Sequence, residues 1–295
     1  MNDKVGIVVV TYNRKELLKE CIESILKQDY QDFVLLVVDN HSTDDTKNYV
    51  KGLIDNKRVY FKELEENIGG AGGFNAGMKE ILSYDPKYIW IMDDDCIVHN
   101  DSLSHLVEAA HQLKDNFGYL SSVVRWKDDD ICKMNIQKVS YTKKVEDFSK
   151  NQQIQFATFV SFFTKAETVK EVGLPIKEFF IWGDDLEYSS RISKKYPSYL
   201  ISSSVVTHKS AKNNGSNIVL DDHQNIARYR YAYRNEQYLY RKLGLKARLF
   251  YFLKKRLHLL KLRKSKLEDK KERIEIVKNA IKEGKKFNPS IEYVK

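Results

Sequence analysis

The chain repeats one arrangement: a short, β-branched apolar run stops at a polar or acidic residue, and an amphipathic stretch follows. Val5 to Thr11 is the first such run, closed by Tyr12-Asn13-Arg14. In residues 15 to 28, Leu17, Leu18, Cys21, Ile22, Ile25 and Leu26 recur at helical spacing, so one face of a helix is apolar and can cover a sheet. Phe33 to Val38 is the second run, ending in Asp39-Asn40-His41-Ser42, with Asp44 and Asp45 suited to opening another helix. A strand at Val59 to Phe61, a helix near Phe74 to Leu82 and the run Tyr88 to Met92 continue the series, which stops at Asp93-Asp94-Asp95. Continuous apolar strands alternating with helices imply an α/β fold built on a parallel, doubly wound sheet. Beyond residue 115 the pattern loosens. Strands are expected at 119 to 126, 131 to 141, 154 to 163 and Tyr199 to Thr207, with helices at 165 to 172 and 185 to 195, which makes the complete sheet mixed.

From residue 223 onward the sequence is long, helical and basic. Residues 241 to 286 hold 18 Lys and Arg against 5 Asp and Glu, and this excess of 13 leaves −4 for the rest of a chain whose total is +9. That distribution excludes a uniformly basic nucleic-acid-binding domain and suits a mildly acidic enzyme with a basic attachment segment. The expected division is a catalytic domain over 1–220, with a nucleotide-binding half at about 1–98 and an acceptor half at about 99–220, and a basic helical extension over 221–295. Within the extension, Leu249, Phe250, Phe252, Leu253, Leu257, Leu260 and Leu262 are interspersed with Lys and Arg. Such a helix suits the interface of an anionic membrane, and packing of its apolar face on the catalytic domain is the alternative. No run approaches the roughly 18 apolar residues of a membrane span. The start MNDK has no basic leader or cleavage site. Cys21, Cys96 and Cys132 are too widely spaced for a disulfide framework or a Cys-based zinc site. A cytoplasmic chain lying peripherally on the inner face of the cell membrane is expected.

Ligands of open α/β sheets bind beyond the carboxyl ends of the strands, and the acidic triplet falls there. Alternation along an extended chain would put Asp93 and Asp95 on one side and Asp94 on the other. Two hard carboxylates pointing the same way suit Mg²⁺ or Mn²⁺ held together with a substrate's phosphates; a solvated turn is the competing explanation. Asp39, on the same edge, suits hydrogen bonds from a uracil or ribose, or a local turn before the next helix. Arg14 suits a diphosphate or an ordinary surface position. Residues 67 to 77 carry five of the chain's 13 glycines. Asn67, Gly69, Gly70, Gly72 and Gly73 there allow close approach of backbone to an anionic ligand, or make a flexible turn. Trp182-Gly183-Asp184-Asp185-Leu186-Glu187 opens a helix, where a carboxylate serves as a cap or as a general base. His208, ending the last strand, is a polar core residue or a third metal ligand that would favour Mn²⁺.

Together these motifs resemble the family 2 inverting glycosyltransferases of GT-A fold, with a Rossmann-like, mainly parallel sheet, over roughly residues 4 to 210. The resemblance implies that Thr11, Arg14 and Asp39 line the nucleotide pocket and that Asp93 and Asp95 serve ribose and metal. It also implies that Asp185, with Asp184 beside it, is the base and that His208 completes the metal site. Asp94, Trp182 and Glu187 join the candidate substrate-binding set. The glycine run and the Trp-x-Asp-Asp-x-Glu element look most like the galactofuranosyltransferase branch, although Gly183 separates Trp182 from the Asp pair where that branch tends to place Trp beside it. The implied partners are a nucleotide-sugar donor, UDP-galactofuranose first and dTDP-rhamnose second, and a cell-surface glycan acceptor linked to a polyprenyl diphosphate. A catalytically silent sugar-nucleotide or glycan-binding subunit is the reading from another class.

Overall fold

β1 (Val5–Thr11) is buried along its whole length because it is the inner strand of a parallel trio, with β2 (Phe33–Asp39) on one side and β4 (Tyr88–Asp93) on the other. The computed structural model describes residues 3–54 and 56–294. Met1 and Asn2, where the absence of a leader was expected, and the last residue of the extension lie outside them. Alternation along the strands sends Val5, Ile7, Val9, Trp90 and Met92 to one apolar layer, and Val8, Val10, Ile89 and Ile91 to the other. α1 (Lys15–Leu26) covers the first layer with Leu18, Cys21, Ile22 and Ile25, as its spacing predicted. Full burial of each aliphatic side chain contributes about 1.5–3 kcal/mol. α2 (Thr46–Lys51) leads to β3 (Val59–Glu63), which pairs in parallel with β2. α3 (Gly69–Ile81) covers the second layer through Phe74, Met78 and Ile81.

The sheet order is β3-β2-β1-β4-β8-β6-β9-β5, with β7 on the far side of β9. Past β4 come β5 (Cys96–Val98), α4 (Ser102–Gln112), β6 (Tyr119–Trp126), β7 (Gln152–Ile154), β8 (Phe162–Lys165), α5 (Ala166–Val172), α6 (Asp184–Ser193) and β9 (Ser198–His208). β8 runs antiparallel to both β4 and β6, while β6 and β9 are parallel, so the sheet is mixed. Two expected strands are corrected. Residues 131–141 form only isolated bridges, Arg125 with Ile131 and Lys138 with Lys144 and Phe156. Residues 154–163 divide into the end of β7 and the start of β8, with irregular chain between them. Apolar residues there fill both layers from loops, so their hydrophobicity does not report a ladder.

The basic segment forms α7 (Tyr229–Lys242), α8 (Leu245–Lys264) and α9 (Lys270–Lys286). Tyr229, Tyr233, Leu262, Val277 and Ala280 pack these helices on one another, and Tyr238 packs α7 on Phe179 of the sheet-bearing part. The chain then returns to that part, where Leu174 N donates to Glu292 O at 2.8 Å.

Candidate active site

Strand register assembles the first half of the site. Thr11 lies opposite Asp39, and Val10 opposite Asp93, so the ends of β1, β2 and β4 share one edge. β4 stops at Asp93, and the chain turns. Thr11 Oγ1 donates to Asp94 Oδ2 at 2.8 Å, and Arg14 Nη1 donates to Asp94 Oδ1 at 3.2 Å and to Asp95 Oδ2 at 2.9 Å. One guanidinium thus meets both carboxylates. The expected placement of Asp94 opposite Asp95 is corrected, because alternation applies only to extended chain and the extension ends one residue earlier. Burial pushes Asp94 up to about 6 despite Arg14, and burial together with the neighbouring Asp95 charge pushes Asp93 up to about 7.

Asp39 shows both of its readings at once. Oδ1 accepts from the amide and hydroxyl of Ser42, which makes the local turn, while Oδ2 is buried without a hydrogen-bond partner among the described residues. An orphaned carboxylate oxygen is costly unless a ligand donor meets it.

The glycine run is the first turns of α3 and not a loop before it. Asn67 Oδ1 accepts from Gly69 N at 2.9 Å in the turn that leads into the helix. Gly69 has φ 76°, and a Cβ there would lie 2.1 Å from Phe180 O, which approaches to accept from Ala71 N at 3.1 Å. A Cβ on Gly73 would meet Val10 at 2.5 Å, and one on Gly72 would meet Ile68 at 2.6 Å. Gly72 and Gly73 are therefore accounted for by packing. Gly70 alone of these four has open space on its Cβ side.

β9 pairs with β5 so that His208 stands opposite Cys96, next in sequence to Asp95. His208 Nε2 lies 3.0 Å from Asp95 Oδ1, yet that buried oxygen has no hydrogen bond of good geometry. On the other side of the ring, Nδ1 is 2.8 Å from Asn135 Oδ1. An amide oxygen only accepts, so Nδ1 carries a hydrogen and Nε2 of the neutral ring is a lone pair facing a carboxylate. Such a pair needs a proton or a cation between its atoms. Burial alone would lower His208, but Asp95 and Cys132 raise it to about 10. The donor chemistry fits a divalent metal at Asp95 and His208, with Asn135 as the partner that fixes the tautomer. Among the described residues no group of three His, Cys, Asp or Glu is gathered in metal-binding proximity, so Asp93 is not brought into the expected triad with them.

The other carboxylate pair opens α6. Phe180 and Trp182 have φ of 63° and 65°, and Gly183 has φ of 86°. Positive φ at a non-glycine residue costs on the order of 1–3 kcal/mol and concentrates at functional sites. Burial, then the charge of Asp185, holds Asp184 well above the usual carboxylate range. Burial also raises Asp185, but the Leu186 amide at 2.7 Å and the charge of Lys138 limit it to about 6. A group titrating there is ionised at neutral pH and basic enough to accept a proton.

A model of the family described as glycosyl transferase family 2 matches residues 6–173, more than half of the chain. The chain belongs to this family. It is 30% identical over 201 residues to the galactofuranosyltransferase GlfT1 of Mycolicibacterium smegmatis, covering 64% of this chain and 65% of that protein. It is 32% identical over 111 residues to the GalNAc(5)-diNAcBac-PP-undecaprenol beta-1,3-glucosyltransferase of Campylobacter jejuni, covering 37% of this chain and 35% of that one. The match thus spans less than two thirds of either relative. In structure it is similar to residues 1–349 of S. aureus TarS, with a TM-score of 0.56 at 15% identity over 94% of this chain and 71% of that one. GalNAc-T7 with UDP, GalNAc and Mn²⁺ gives a TM-score of 0.61 at 15% identity, covering 78% and 47%. The GT-A architecture expected from the motifs is the fold of the chain.

Two candidates from the Trp-x-Asp-Asp-x-Glu element of this family 2 chain also make contacts that hold the fold. Glu187 is buried and bound on both oxygens by Arg191, whose guanidinium also donates to Val172 O at 2.7 Å and Leu174 O at 3.0 Å, so it ties α6 to the chain after α5. The i, i+4 spacing of Glu187 and Arg191 on a helix was the signal for this. Trp182 packs on Tyr229 of α7, ring centroids 5.1 Å apart. Asn135 and the α7 residues Arg234 and Asn235, which bond the chain around Phe179, escaped the sequence reading because their partners lie more than 50 positions away.

Proposed function

We propose that this family 2 chain transfers a sugar with inversion from a nucleotide-diphospho-sugar, with UDP-galactofuranose the first candidate donor, to a hydroxyl of a lipid-linked cell-surface glycan. The observation that carries the reading is the division of carboxylates. Asp95 and His208 face each other in a pair that takes either a proton or a cation between its atoms, and Asp185, raised to about 6, stands apart from them at the start of α6. Asp39 Oδ2, without a partner, would take a hydrogen bond from the nucleoside. Arg14 is half exposed, and its Nε and Nη2 make no hydrogen bond among the described residues, which leaves them for the diphosphate. Gly70, on the open side of α3, adds backbone to the same edge. Asp95 and His208 would hold Mn²⁺ or Mg²⁺, which when bound neutralises charge on the departing diphosphate. Asp185 takes the proton of the acceptor hydroxyl as its oxygen bonds to the anomeric carbon and the nucleoside diphosphate leaves from the opposite face. The galactofuranosyl and undecaprenol-linked activities of the two relatives support the donor and acceptor classes.

The acceptor class also gives α8 a partner. No helix among the described residues is long and apolar enough to cross a membrane. Leu245, Leu249, Leu253, Leu257 and Leu260 form a stripe along α8, each between 47% and 79% exposed, amid Lys and Arg. A leaflet of anionic lipid at the cytoplasmic face fits that combination, each nearby cation contributing about 1 kcal/mol. Two measurements test the whole reading. A donor panel with Mn²⁺ should release nucleotide diphosphate fastest from UDP-galactofuranose and only with glycan acceptor; full turnover in EDTA would count against the metal. The intact protein should sediment with anionic vesicles at low salt, and a variant with these leucines changed to Ser should stay in solution. Equal sedimentation of both would sink the lipid assignment.

A further inference from the structure

The turn that presents Asp184 and Asp185 adopts positive φ at Phe180, Trp182 and Gly183, a conformation that the two aromatic residues disfavour. What holds it there comes from α7. Asn235 is fully buried, and its Nδ2 lies 2.9 Å from Phe179 O, 3.1 Å from Ile181 O and 2.8 Å from Trp182 O. Arg234 Nη2 donates to Glu178 O at 2.6 Å and to Phe179 O at 3.2 Å. Its Nε donates to Asn235 Oδ1 at 2.9 Å, which fixes the end of the amide that faces the carbonyls. Phe180 adds a ring stacked on Tyr231, centroids 4.7 Å apart. Four carbonyls of one short segment therefore take their hydrogens from two adjacent side chains.

We propose that Asn235, oriented by Arg234, is a positioning residue for sugar transfer: it holds residues 179–183 in the path, with positive φ at Phe180, Trp182 and Gly183, from which α6 starts and so fixes where Asp185 stands. The basic helical region is on this view part of the catalytic apparatus. The proposal rests on the reading of Asp185 as base. A carbonyl cluster that loses its donors turns toward water, and the helix start moves with it. Misplacement of a reacting group by about 1 Å costs on the order of 10²-fold in rate. A residue that merely stabilised the fold would lower the active fraction without separating kcat from donor binding.

The test is Asn235→Asp in the full-length protein, which keeps the shape but puts an oxygen against the three carbonyls. The expected result is kcat lowered about 10²-fold, donor KM and UDP affinity within twofold of the parent, and faster hydrogen exchange at amides 180–187 with those of β1 and β4 unchanged. A folded variant with kcat within threefold of the parent overturns the proposal, as does a parallel loss of kcat and UDP affinity. Should this variant fail to fold, Arg234→Lys keeps the charge and loses the fork, with a kcat loss of about tenfold expected and unchanged kcat again overturning it. Asp185→Asn is measured alongside. Its normal turnover overturns the base and with it the catalytic consequence, whereas unchanged exchange at 180–187 in Asn235→Asp overturns the clamp itself.

Discussion

The edge made by β1, β2 and β4 holds its carboxylates by strand register, whereas the turn before α6 holds its pair by side chains that arrive from α7. Asp39 and Asp93 are where they are because Thr11 and Val10 are opposite them in a parallel ladder. Asp185 is where it is through a backbone of positive φ tied by Asn235 and Arg234. Register is robust, since shifting it would turn every buried Val and Ile to the other face. A tied turn is adjustable, because few bonds decide it. The β1, β2 and β4 edge is accordingly the rigid part of the site, and the turn that carries the proposed base is the part set by distant sequence.

The largest effect that would break this contrast is on the base. Asp185→Asn should lower turnover by about 10² to 10⁴ with donor affinity retained, and Asp184→Asn should hurt less, because burial and the neighbouring Asp185 charge raise Asp184 and so disfavour its ionised, proton-accepting form. Stopped-assay release of nucleotide diphosphate measures both, and the reverse order would move the base to Asp184. Next comes Glu187→Gln, which leaves the partly buried Arg191 without its charge partner. Urea unfolding should show a loss of about 3 kcal/mol, while kcat of the folded fraction stays close to the parent. A fall in kcat without loss of stability would return Glu187 to the substrate. The smallest effect is in the pH profile. As the proposed base, Asp185 would work ionised, so kcat should be flat above its value of about 6 and fall roughly tenfold per unit below it, as the carboxylate protonates. An acid limb near 4 would mean that bound substrate leaves the carboxylate solvated.

How much of this was legible in sequence follows from the same contrast. β1, α1, β2 and β4 are local patterns, and their ends and the acids that close them could be read directly. Gly73 was legible as an unusual residue, but its reason was not: it meets Val10, more than 60 positions away, so a glycine required for packing looked like one required by a ligand. The apolar residues between 131 and 141 suggested a strand because loop residues that plug a core are as hydrophobic as ladder residues. His208 was found as the polar end of a β-branched run, yet its tautomer depends on Asn135, which no spacing announces. Asn235 lies in a basic, tyrosine-rich helix whose composition speaks of a surface, and its three bonds go to main-chain oxygens, which carry no residue identity to recognise.

The stripe of α8 also makes ionic strength act in two opposite directions on how this protein behaves in a tube. Added salt screens the lysines and arginines within about a Debye length, 10 Å at 0.1 M, and so weakens mutual repulsion between molecules. It leaves the attraction between exposed Leu249, Leu253 and Leu257 of one molecule and those of the next untouched. Buffers salty enough to release the chain from the proposed anionic surface are therefore the ones in which its colloidal stability is lowest, and light scattering should rise with salt at fixed protein concentration.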